Sequence, residues 1–453
     1  MYKRQVTHPE CGVTDPTLLS FQRISVADAE LLGAPLFPGS SLDKVWAQRG
    51  DELARAIDRL VSIGSQDALI LLRASFSAPK VQHLLRCSPS VNNHGLQTFD
   101  DHLKSAITNI TNSVLSDIQW LQASLPIKLG GLGVRRVTSL AIPAFLASAA
   151  STLSLQDHIL ALCPCPSDVY LEQYLSTWSS SAGTLPDPLP AKQSFWDTPG
   201  LLADCTLIES CLSEPSQKAR FLASQAPHSG DWLLALPIAN CGLRLDDEAV
   251  RVAVGVRLGL SLCIPHECRC GAKVDAQGLH AMVCKMAPGK HTRHRVLNDI
   301  IWRAFGTAGI PAVKEPSGLI RHDGKRPDGL TLIPWQGGKS LVWDATVVSP
   351  LAGSYVDRAA TGAGAVADLA TVRKLEKYSS LTSQYIVQPV AVENLGVVSS
   401  SALQFLSELG RRMSVATDNP QETLFLFQRI SVSIQRFNSV LLHESFVVNI
   451  PDQ

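Results

Sequence analysis

The chain is organised around a stretch that begins with CRCGAKVDAQGLHAMVCK, at residues 268–285. The same stretch ends with KRPDGLTLIPWQGGKSLVWDAT, at residues 325–346. The first places two cysteines close together, then a histidine, then a third cysteine. Thiolate and imidazole ligands at such short spacings are typical of four-coordinate zinc. The second contains two aspartates with fifteen residues between them, and carboxylates are the ligands that hard cations prefer.

The first half of this stretch predicts a structural zinc site. One residue separates the first two cysteines, nine separate the second from the histidine, and three separate the histidine from the last cysteine. The glycine at position 271 gives the freedom that a close turn around a metal requires. A metal bound by so short a segment supplies folding free energy that its own small core cannot. The predicted ligands are Cys268, Cys270, His280 and Cys284.

Two alternatives compete with this ligand set. Cysteines are also common as small buried hydrophobic side chains that bind no metal. His291 and His294, in GKHTRHRVLND, are near enough in sequence to replace one ligand, and Cys263 and His266 are further spare ligands. The sequence leaves this choice open.

The second half predicts two adjacent strands. GLTLIP and SLVWDAT are apolar runs separated by a glycine pair, the pattern of a hairpin. Such a hairpin brings Asp328 and Asp344 to one place, where both can hold a hard cation. Before it, VLNDIIWRAFGTAGIP predicts a helix and AVKEPSGLI a strand with Glu315 near its end. After it, YIVQPVAVENLG predicts a strand at an edge or with a bulge, because Pro389 lacks a backbone donor, and two helices then cover the sheet.

A Cys/His knuckle, an RPD tripeptide and an aspartate at the end of a hydrophobic strand resemble the restriction-enzyme-like endonuclease of some non-LTR retrotransposon polyproteins. That endonuclease is a C-terminal domain of the PD-(D/E)XK nuclease type. The resemblance implies an α/β C-terminal domain, with a mixed sheet flanked by helices, preceded by a mostly α-helical thumb and linker region and a small zinc knuckle. It also implies nicking of target DNA for target-primed reverse transcription.

The resemblance assigns catalytic roles to particular residues. Asp328 and Asp344 would hold Mg²⁺, which activates water and stabilises charge on the scissile phosphate. The catalytic lysine of such nucleases often lies on a following helix, where RKLEKY supplies candidates. Lys374, Lys377 and Tyr378 fall at i, i+3 and i+4, so they project from one side of a helix. Spacing does not decide between the two lysines, and a solvated basic face is the alternative.

The acidic site departs from the simplest pattern of that family in one position. The residue two after the second acid, a lysine in the simpler nucleases, is Thr346. Glu315 completes the predicted catalytic set, and Asp323, in HDGKRPD, is an alternative carboxylate. Lys325 and Arg326 lie next to the first aspartate, where they suit a phosphate that flanks the cleaved bond.

Charge is distributed unevenly along the chain. Forty basic and forty acidic residues give a net charge of zero, which argues against a nucleic-acid binder that is basic throughout. Residues 268–344, however, contain twelve Lys or Arg against six Asp or Glu, and four histidines. A local basic field is what binding to a phosphate backbone needs, although a solvated face has the same composition. The predicted nucleic-acid contacts are His291, Arg293, His294, Arg295, Lys325 and Arg326.

The upstream half of the chain is predicted to be helical. In DELARAIDRLVSI, Leu53, Ile57, Leu60 and Val61 are predicted to share a buried face, and FDDHLKSAITNIT predicts another amphipathic helix that the aspartates after Phe99 open. The run from LLRASFSAPK through LPIKLGGLG to AFLASAA resembles the thumb and linker that follow the polymerase palm in these proteins. The aromatic-Ala-Asp-Asp turn of a polymerase is absent from the sequence. The chain therefore reads as the downstream part of a larger polyprotein, without a polymerase site.

Four consecutive segments are predicted from these patterns. The stretch 151–200 is rich in Ser and Pro and predicts a linker or surface excursion, whereas DDEAVRVAVGVRLGLSL predicts a helix capped by Asp246, with Arg257 off its buried stripe. The segments are 1–150, a helical thumb-like region; 151–262, a linker and helical region; 263–295, the zinc knuckle; and 296–453, the endonuclease domain.

Cysteine usage and hydropathy bound the compartment. Eleven cysteines, an odd number, fit a reducing compartment with one metal site better than a disulfide framework, and the Cys163 and Cys165 pair is incidental. The N-terminus lacks the apolar core of a signal peptide, and LAIPAFLASAASTLSL is too short and too rich in Ser and Pro to span a bilayer. An intracellular protein is expected, and the resemblance implies a nuclear one. Its expected partners are target DNA, the element RNA and the polymerase part of the same polyprotein, with no membrane.

The alternative function comes from a different class. A non-catalytic nucleic-acid-binding remnant of a retrotransposon protein would keep the zinc knuckle and basic cluster, with vestigial acids. A structural fragment without activity is a third possibility.

Overall fold

The computed structural model describes residues 25–160, 168–320 and 324–446, together with two short strands nearer the N-terminus. Within these ranges the protein is mostly helical. Its helices, in chain order, are α1 (Ser40–Leu60), α2 (Ser65–Leu71), α3 (Ala78–Cys87), α4 (His94–Thr111), α5 (Asp117–Ala123), α6 (Val137–Leu160), α7 (Val169–Ala182), α8 (Gln193–Ser210), α9 (Pro215–Gln225), α10 (Asp231–Leu234), α11 (Asp247–Leu258), α12 (Leu279–Val283), α13 (Gly289–Thr307), α14 (Val356–Ala359), α15 (Ala365–Lys377), α16 (Ser400–Thr417) and α17 (Glu422–His443).

The strands form three short pairs and one larger sheet. They are β1 (Arg4–Gln5), β2 (Gln22–Arg23), β3 (Glu30–Leu31), β4 (Ala34–Pro35), β5 (His266–Glu267), β6 (Lys273–Val274), β7 (Ala312–Lys314), β8 (Gly329–Thr331), β9 (Leu341–Val348) and β10 (Ile386–Glu393). The four-stranded sheet has the order β10-β9-β8-β7. Strand β10 runs parallel to β9, and the other neighbours are antiparallel, so the sheet is mixed as predicted.

The chain divides into two compact units, each made of segments that are not consecutive. The helical unit comprises Met1–Ile63, Leu71–Ile110 and Gly133–Leu207. The sheet unit comprises Gly64–Ile70, Thr111–Leu132 and Ile208–Gln453. These boundaries cut across the predicted segments 1–150 and 151–262. The Cys/His stretch and the four-stranded sheet belong to the same unit.

In the helical unit, α1 follows its predicted stripe with one exception. Leu53, Ile57 and Leu60 are buried at the predicted spacing. Val61 is 54% exposed, so its predicted place in the core is wrong. The helix ends at Leu60, and beyond its last turn the helical period no longer determines which way a side chain points.

Asp100 has a different structural role from the one predicted. Helix α4 begins before Asp100, so this residue lies inside the helix and does not open it. Its carboxylate is buried and accepts hydrogen bonds from the Val137 backbone N–H at 2.7 Å and from the Thr138 hydroxyl at 2.6 Å. It therefore caps α6. Burial raises the pKa of Asp100.

The described part of the predicted linker at 151–200 contains the end of α6, all of α7 and the start of α8. Tyr174, Trp178 and Trp196 are buried, and the Trp178 indole N–H donates to the Trp196 carbonyl at 2.9 Å. These aromatic anchors stabilise the segment although its composition is rich in Ser and Pro. Cys163 and Cys165 lie outside the described residues.

Helix α6 includes the apolar run examined in the sequence. The segment Val137–Gln156 is long and apolar enough to cross a membrane by length and composition alone, so the prediction that this run is too short to do so is wrong. The core helix of a soluble protein passes the same test, and Leu140, Ala144 and Leu146 are buried in this unit. The helix is consistent with a soluble protein.

In the sheet unit, the predicted hairpin forms with β8 and β9 antiparallel. Gly337 and Gly338 both have positive φ, at 57° and 74°, which is the conformation that makes glycine the favoured residue in such a turn. A Cβ at Gly329 would collide with the Trp343 ring, so the close approach of the two strands requires a glycine there. Strand β10 lies at the edge, as Pro389 predicted.

Helices α13, α16 and α17 pack with this sheet around an aromatic core. Phe305 contacts Trp335, Trp343 and Phe405 with ring centroids 4.9 to 5.9 Å apart. Offset and edge-on contacts at such distances are the favourable arrangements. The Trp343 indole N–H donates to the Asn298 side-chain oxygen at 2.7 Å, which fixes the register of α13 on β9. This core supports the two central strands, β8 and β9, at which the two aspartates lie.

Helix α11 confirms its predicted cap. The Asp246 carboxylate accepts from the Ala249 backbone N–H at 2.7 Å. Arg257 was predicted off the buried stripe, but it is buried and donates to backbone carbonyls of Gly131 and Ile127. That prediction is wrong because the helix is covered on more than one face.

Candidate metal centre and acidic site

The four predicted zinc ligands lie together. One ligand atom from each of Cys268, Cys270, His280 and Cys284 lies within 4.8 Å of the other three. The sulfur atoms of Cys268 and Cys284 are 3.7 Å apart, and the Cys270 sulfur is 3.1 Å from His280 Nε2. Tetrahedral zinc with Zn–S bonds of about 2.3 Å places two sulfurs about 3.8 Å apart. The cluster therefore could hold a metal such as zinc.

Local structure explains how the four side chains meet. Strands β5 and β6 form a hairpin in which the Cys268 N–H donates to the Ala272 carbonyl at 2.9 Å. Gly271 has a φ of 80°, which permits the tight turn. Helix α12 then carries His280, and Cys284 follows its last residue. Cys268 and Cys284 are buried, whereas Cys270 is exposed.

The spare ligands have other partners. His266 stacks on Phe446 with ring centroids 4.2 Å apart, and the Cys263 thiol lies 3.3 Å from the Asp275 carbonyl oxygen. His294 contacts Asp328, in the acidic site. The ligand set is therefore the one that the short spacings favoured.

The two predicted metal-binding aspartates face each other across the β8–β9 hairpin. Gly329 pairs with Trp343 in the register, so Asp328 stands opposite Asp344. The Asp328 N–H donates to the Trp343 carbonyl at 3.1 Å, which extends the ladder by one residue. Opposite residues of an antiparallel pair point to the same face, with Cβ atoms about 4.5–5.5 Å apart. The Ala345 N–H donates to Asp328 Oδ2 at 2.6 Å and fixes that carboxylate.

Asp344 is the buried member of the pair, with 4% of its surface exposed. Burial raises the pKa of Asp344, the Lys374 ammonium opposes that rise, and the Asp328 carboxylate adds to it. Two carboxylates that repel each other at this range are stabilised by a cation between them. The pair offers carboxylate oxygens of the kind that divalent ions bind, and the Lys374 ammonium already supplies a positive charge to Asp344.

Helix α15, which lies between β9 and β10 in the chain, and the residue after it bring both lysines and the tyrosine to this carboxylate. Lys374 Nζ forms an ion pair with Asp344 Oδ2. The fully buried Tyr378 has its hydroxyl 3.1 Å from Asp344 Oδ1 and 3.1 Å from the Arg326 carbonyl oxygen. Lys377 Nζ donates to that hydroxyl at 2.7 Å. Lys374 is thus the lysine that contacts the acid directly, and Lys377 contacts it through Tyr378.

His294 lies on the other carboxylate. Its Nε2 is 3.1 Å from Asp328 Oδ2 and 3.1 Å from the Ala345 carbonyl oxygen. The hydrogen bond to Asp328 raises the pKa of His294. The sequence predicted this histidine as a contact to nucleic-acid phosphate, and no spacing rule linked it to a residue thirty-four positions later.

Glu315 and Arg326 pair with each other beside the acidic site. Their side chains form an ion pair, and the Glu315 N–H donates to the Asp328 carbonyl at 2.9 Å. Glu315 is therefore adjacent to the aspartates through its backbone, while its carboxylate holds Arg326. Lys325 is exposed next to this pair, and Asp323 lies outside the described residues.

One of the predicted nucleic-acid contacts is buried. Arg293 is 3% exposed, and burial lowers its pKa to about 10. Its place inside α13 prevents contact with an external phosphate, so that prediction is wrong. The helix period explains the error, because Arg293 lies one turn before Leu297 on the buried face. His291 and Arg295 are exposed on the same helix.

A further buried acid supports the helix that carries the lysines. Glu393, at the end of β10, is 2% exposed and accepts from the Ala367 N–H in the first turn of α15 at 3.1 Å. Burial raises the pKa of Glu393 to about 7. Sequence reasoning missed this residue. An acid at the end of an otherwise apolar strand was the one signal that could have found it.

In comparisons with known proteins, no family model matches this sequence and no curated protein matches it.

Proposed function

We propose that residues 296–453 form a metal-dependent DNA endonuclease domain, and that the chain is the C-terminal part of a non-LTR retrotransposon polyprotein. The observation that carries this proposal is the meeting of Asp328, Asp344 and Lys374 at the two central strands of a mixed sheet. Asp328 precedes β8, Asp344 lies in β9 and Lys374 lies in α15, and the resemblance to PD-(D/E)XK nucleases gives their meeting a catalytic interpretation. In this proposal the domain nicks target DNA for target-primed reverse transcription.

Each side chain has a distinct task in this proposal. Lys374 forms an ion pair with the buried carboxylate, and its task in this proposal is to bring a positive charge to a scissile phosphate or an attacking water. Tyr378 and Lys377 hold Asp344 in orientation through the hydroxyl contact. His294 and the Ala345 N–H hold Asp328. Asp328 and Asp344 would hold Mg²⁺, which supplies a more acidic bound water and charge stabilisation at the phosphate.

The surroundings of the site suit nucleic acid. His291, Arg295 and Lys325 are exposed in the same unit as the acidic site. Positive side chains of this kind bind phosphates and position the strand without reading its sequence. The Cys/His cluster would be a structural zinc knuckle beside them. Target DNA, element RNA and the polymerase part of the polyprotein are the proposed partners, and the nucleus is the proposed location.

Nicking of supercoiled plasmid by the full chain tests this proposal. Asp344→Asn and Asp328→Asn are each expected to lower the Mg²⁺-dependent nicking rate by about 10²–10³-fold, the loss typical of one preorganised electrostatic group. Asp357→Asn, at an exposed acid in α14, is the matched control and should nick at the parent rate. Gel retardation of DNA should persist in all three. Parent-level nicking by both active-site variants would end the proposal.

One observation favours the alternative of a non-catalytic nucleic-acid-binding remnant. The Lys374 ion pair occupies an oxygen of Asp344 that a metal would need. Under this alternative, the parent protein retards DNA but nicks none with Mg²⁺ or Mn²⁺, and Asp344→Asn changes neither result. The same two assays therefore separate the two functions.

A further inference from the structure

Two arginines are buried in the sheet unit away from the acidic site, and they differ in how their donors are used. Arg257 is 5% exposed and donates to the carbonyl oxygens of Gly131, Ile127 and Ser224 at 2.8 to 3.1 Å. Three carbonyl acceptors offset much of the cost of burying its charge. Arg257 is thus a structural residue that links three segments of the unit.

Arg220, on α9, lacks such a set of acceptors. It is 6% exposed, and its Nη2 donates to the Gln277 side-chain oxygen at 2.6 Å. Its Nε has no hydrogen-bond partner, and within the described ranges no carboxylate forms an ion pair with it. Asp275 is the acid whose field reaches it, but an oxygen of Asp275 accepts from the Leu279 N–H at 3.0 Å. A buried cation in this state costs free energy unless an anion joins it.

A cavity lies against this guanidinium. Its volume is about 200 Å³, room for about seven water molecules at about 30 Å³ each. That is smaller than the roughly 300–1,000 Å³ of a site for a drug-sized ligand. Arg220 is the one charged residue of its lining, which holds no Asp or Glu, and the polar side chains around it are Ser116, Gln119, Gln122, Gln217 and Gln277.

We infer that this cavity is a binding site for a phosphate-type oxyanion, with the Arg220 guanidinium as its charged ligand. The planar guanidinium donates two parallel hydrogen bonds to an oxyanion, which an ammonium group cannot do. A single phosphate fits this volume. Burial lowers the pKa of Arg220 to about 10, so the group keeps its charge at neutral pH. This site is independent of the proposed cleavage of DNA.

Cys211 offers a direct readout of occupancy. It is an exposed free cysteine that lines the cavity. With inorganic phosphate at about ten times its Kd, the site is about nine-tenths occupied, so alkylation of Cys211 by iodoacetamide should slow about tenfold. Mass spectrometry follows each cysteine separately in the full chain. Cys241, exposed in the same unit, is the control and should react at an unchanged rate. Sodium chloride at equal ionic strength should protect neither.

Arg220→Gln should abolish the protection while the protein still melts cooperatively. If that variant does not fold, Arg220→Lys keeps the charge but not the planar donors, and it should need severalfold more phosphate for the same protection. Arg303→Gln removes an exposed arginine of the same unit and should protect like the parent. Unprotected Cys211 in the parent protein, equal protection of Cys241, or full protection in Arg220→Gln would each overturn the inference.

A short single-stranded oligonucleotide, run beside inorganic phosphate, separates the two sources of this chemistry. If the oligonucleotide protects Cys211 at a lower total concentration of phosphate groups than inorganic phosphate needs, the site is assigned to a nucleic-acid backbone. Protection by inorganic phosphate alone assigns it to a free anion. Both results support an oxyanion site, and they differ in the ligand that reaches it.

Discussion

The Cys/His cluster and the acidic site belong to the same unit but are assembled on different scales. The cluster is complete within residues 268–284, on one hairpin and one short helix. The acidic site draws on residues between 294 and 378, from two helices and two strands. A local site depends on its ligands and on a metal, whereas a dispersed site depends on the fold that carries it. The two sites should therefore fail in different ways.

Removal of the metal should have the largest effect, and it should act on folding. Structural zinc contributes apparent binding free energies of about 10–16 kcal/mol in small zinc peptides. Cys284→Ser should therefore unfold the cluster segment and lower the thermal melting temperature of the chain. Hydrogen exchange should rise at 263–285, and zinc content should fall, with the acidic site affected less.

Cys241→Ser is the matched control, since Cys241 is exposed and outside the cluster. It should bind zinc and melt like the parent protein. A Cys284→Ser variant with the parent's zinc content and melting temperature would contradict a structural metal at this cluster.

The two lysines of α15 test the dispersed acidic site. Sequence spacing cannot decide which lysine lies nearer to Asp344, but the structure does. Lys374 contacts Asp344 directly, and Lys377 contacts it through Tyr378. Lys374→Met should lower plasmid nicking about 10²–10³-fold. Lys377→Met should cost about tenfold, roughly the worth of one hydrogen bond. The reverse order of the two variants would count against the assigned roles.

Periodic and local patterns predicted much of the fold. The stripe of α1 placed Leu53 and Ile57 in the core, and both are buried. The proline of β10 predicted an edge strand, and the ligand spacing predicted the Cys/His cluster. Each of these patterns depends on residues that are near each other in sequence. They therefore predict local structure whichever tertiary contacts form.

Tertiary partners were the part that the sequence could not supply. Asp100 caps a helix that begins thirty-seven residues later, and a polar side chain does not reveal which distant N–H it will meet. Arg293 was expected to reach nucleic acid because arginines are mostly exposed, but its turn of α13 faces the core. His294 lies on Asp328 through the docking of α13 on the hairpin. Such contacts depend on packing angles that no spacing rule contains.

Glu393, the buried acid at the first turn of α15, should make the stability of the protein depend on pH. Its folded pKa of about 7 lies above the ordinary value of a glutamate, so folding favours the protonated form. The contribution of this carboxyl to the free energy of unfolding is present at low pH and is lost as pH rises from about 4.5 to about 7. Glu393→Gln cannot ionise, so its stability relative to the parent should rise over that range by about 2–3 kcal/mol. Urea unfolding at several pH values measures this difference.

The matched control for this prediction is Glu376→Gln, an exposed acid on the same helix. Its stability relative to the parent should stay flat with pH. Asp368 also faces the carboxyl of Glu393 and raises its pKa. A flat pH profile for Glu393→Gln as well would contradict the raised pKa, because it requires the same pKa for this carboxyl in the folded and the unfolded protein.

His294 should give the smallest effect, because Asp328 has a second anchor. Loss of an outer-sphere partner typically costs about 10–100-fold in metal affinity, but the Ala345 N–H still holds Asp328 Oδ2 in His294→Asn. The Mg²⁺ concentration for half-maximal nicking should therefore rise about tenfold, with the rate at saturating Mg²⁺ little changed. His291→Asn, exposed on the same helix, should leave both values unchanged. An equal rise of the half-maximal Mg²⁺ concentration in the two variants would contradict this role of His294. It would mean that a general loss of positive charge, and not the contact to Asp328, changes the metal requirement.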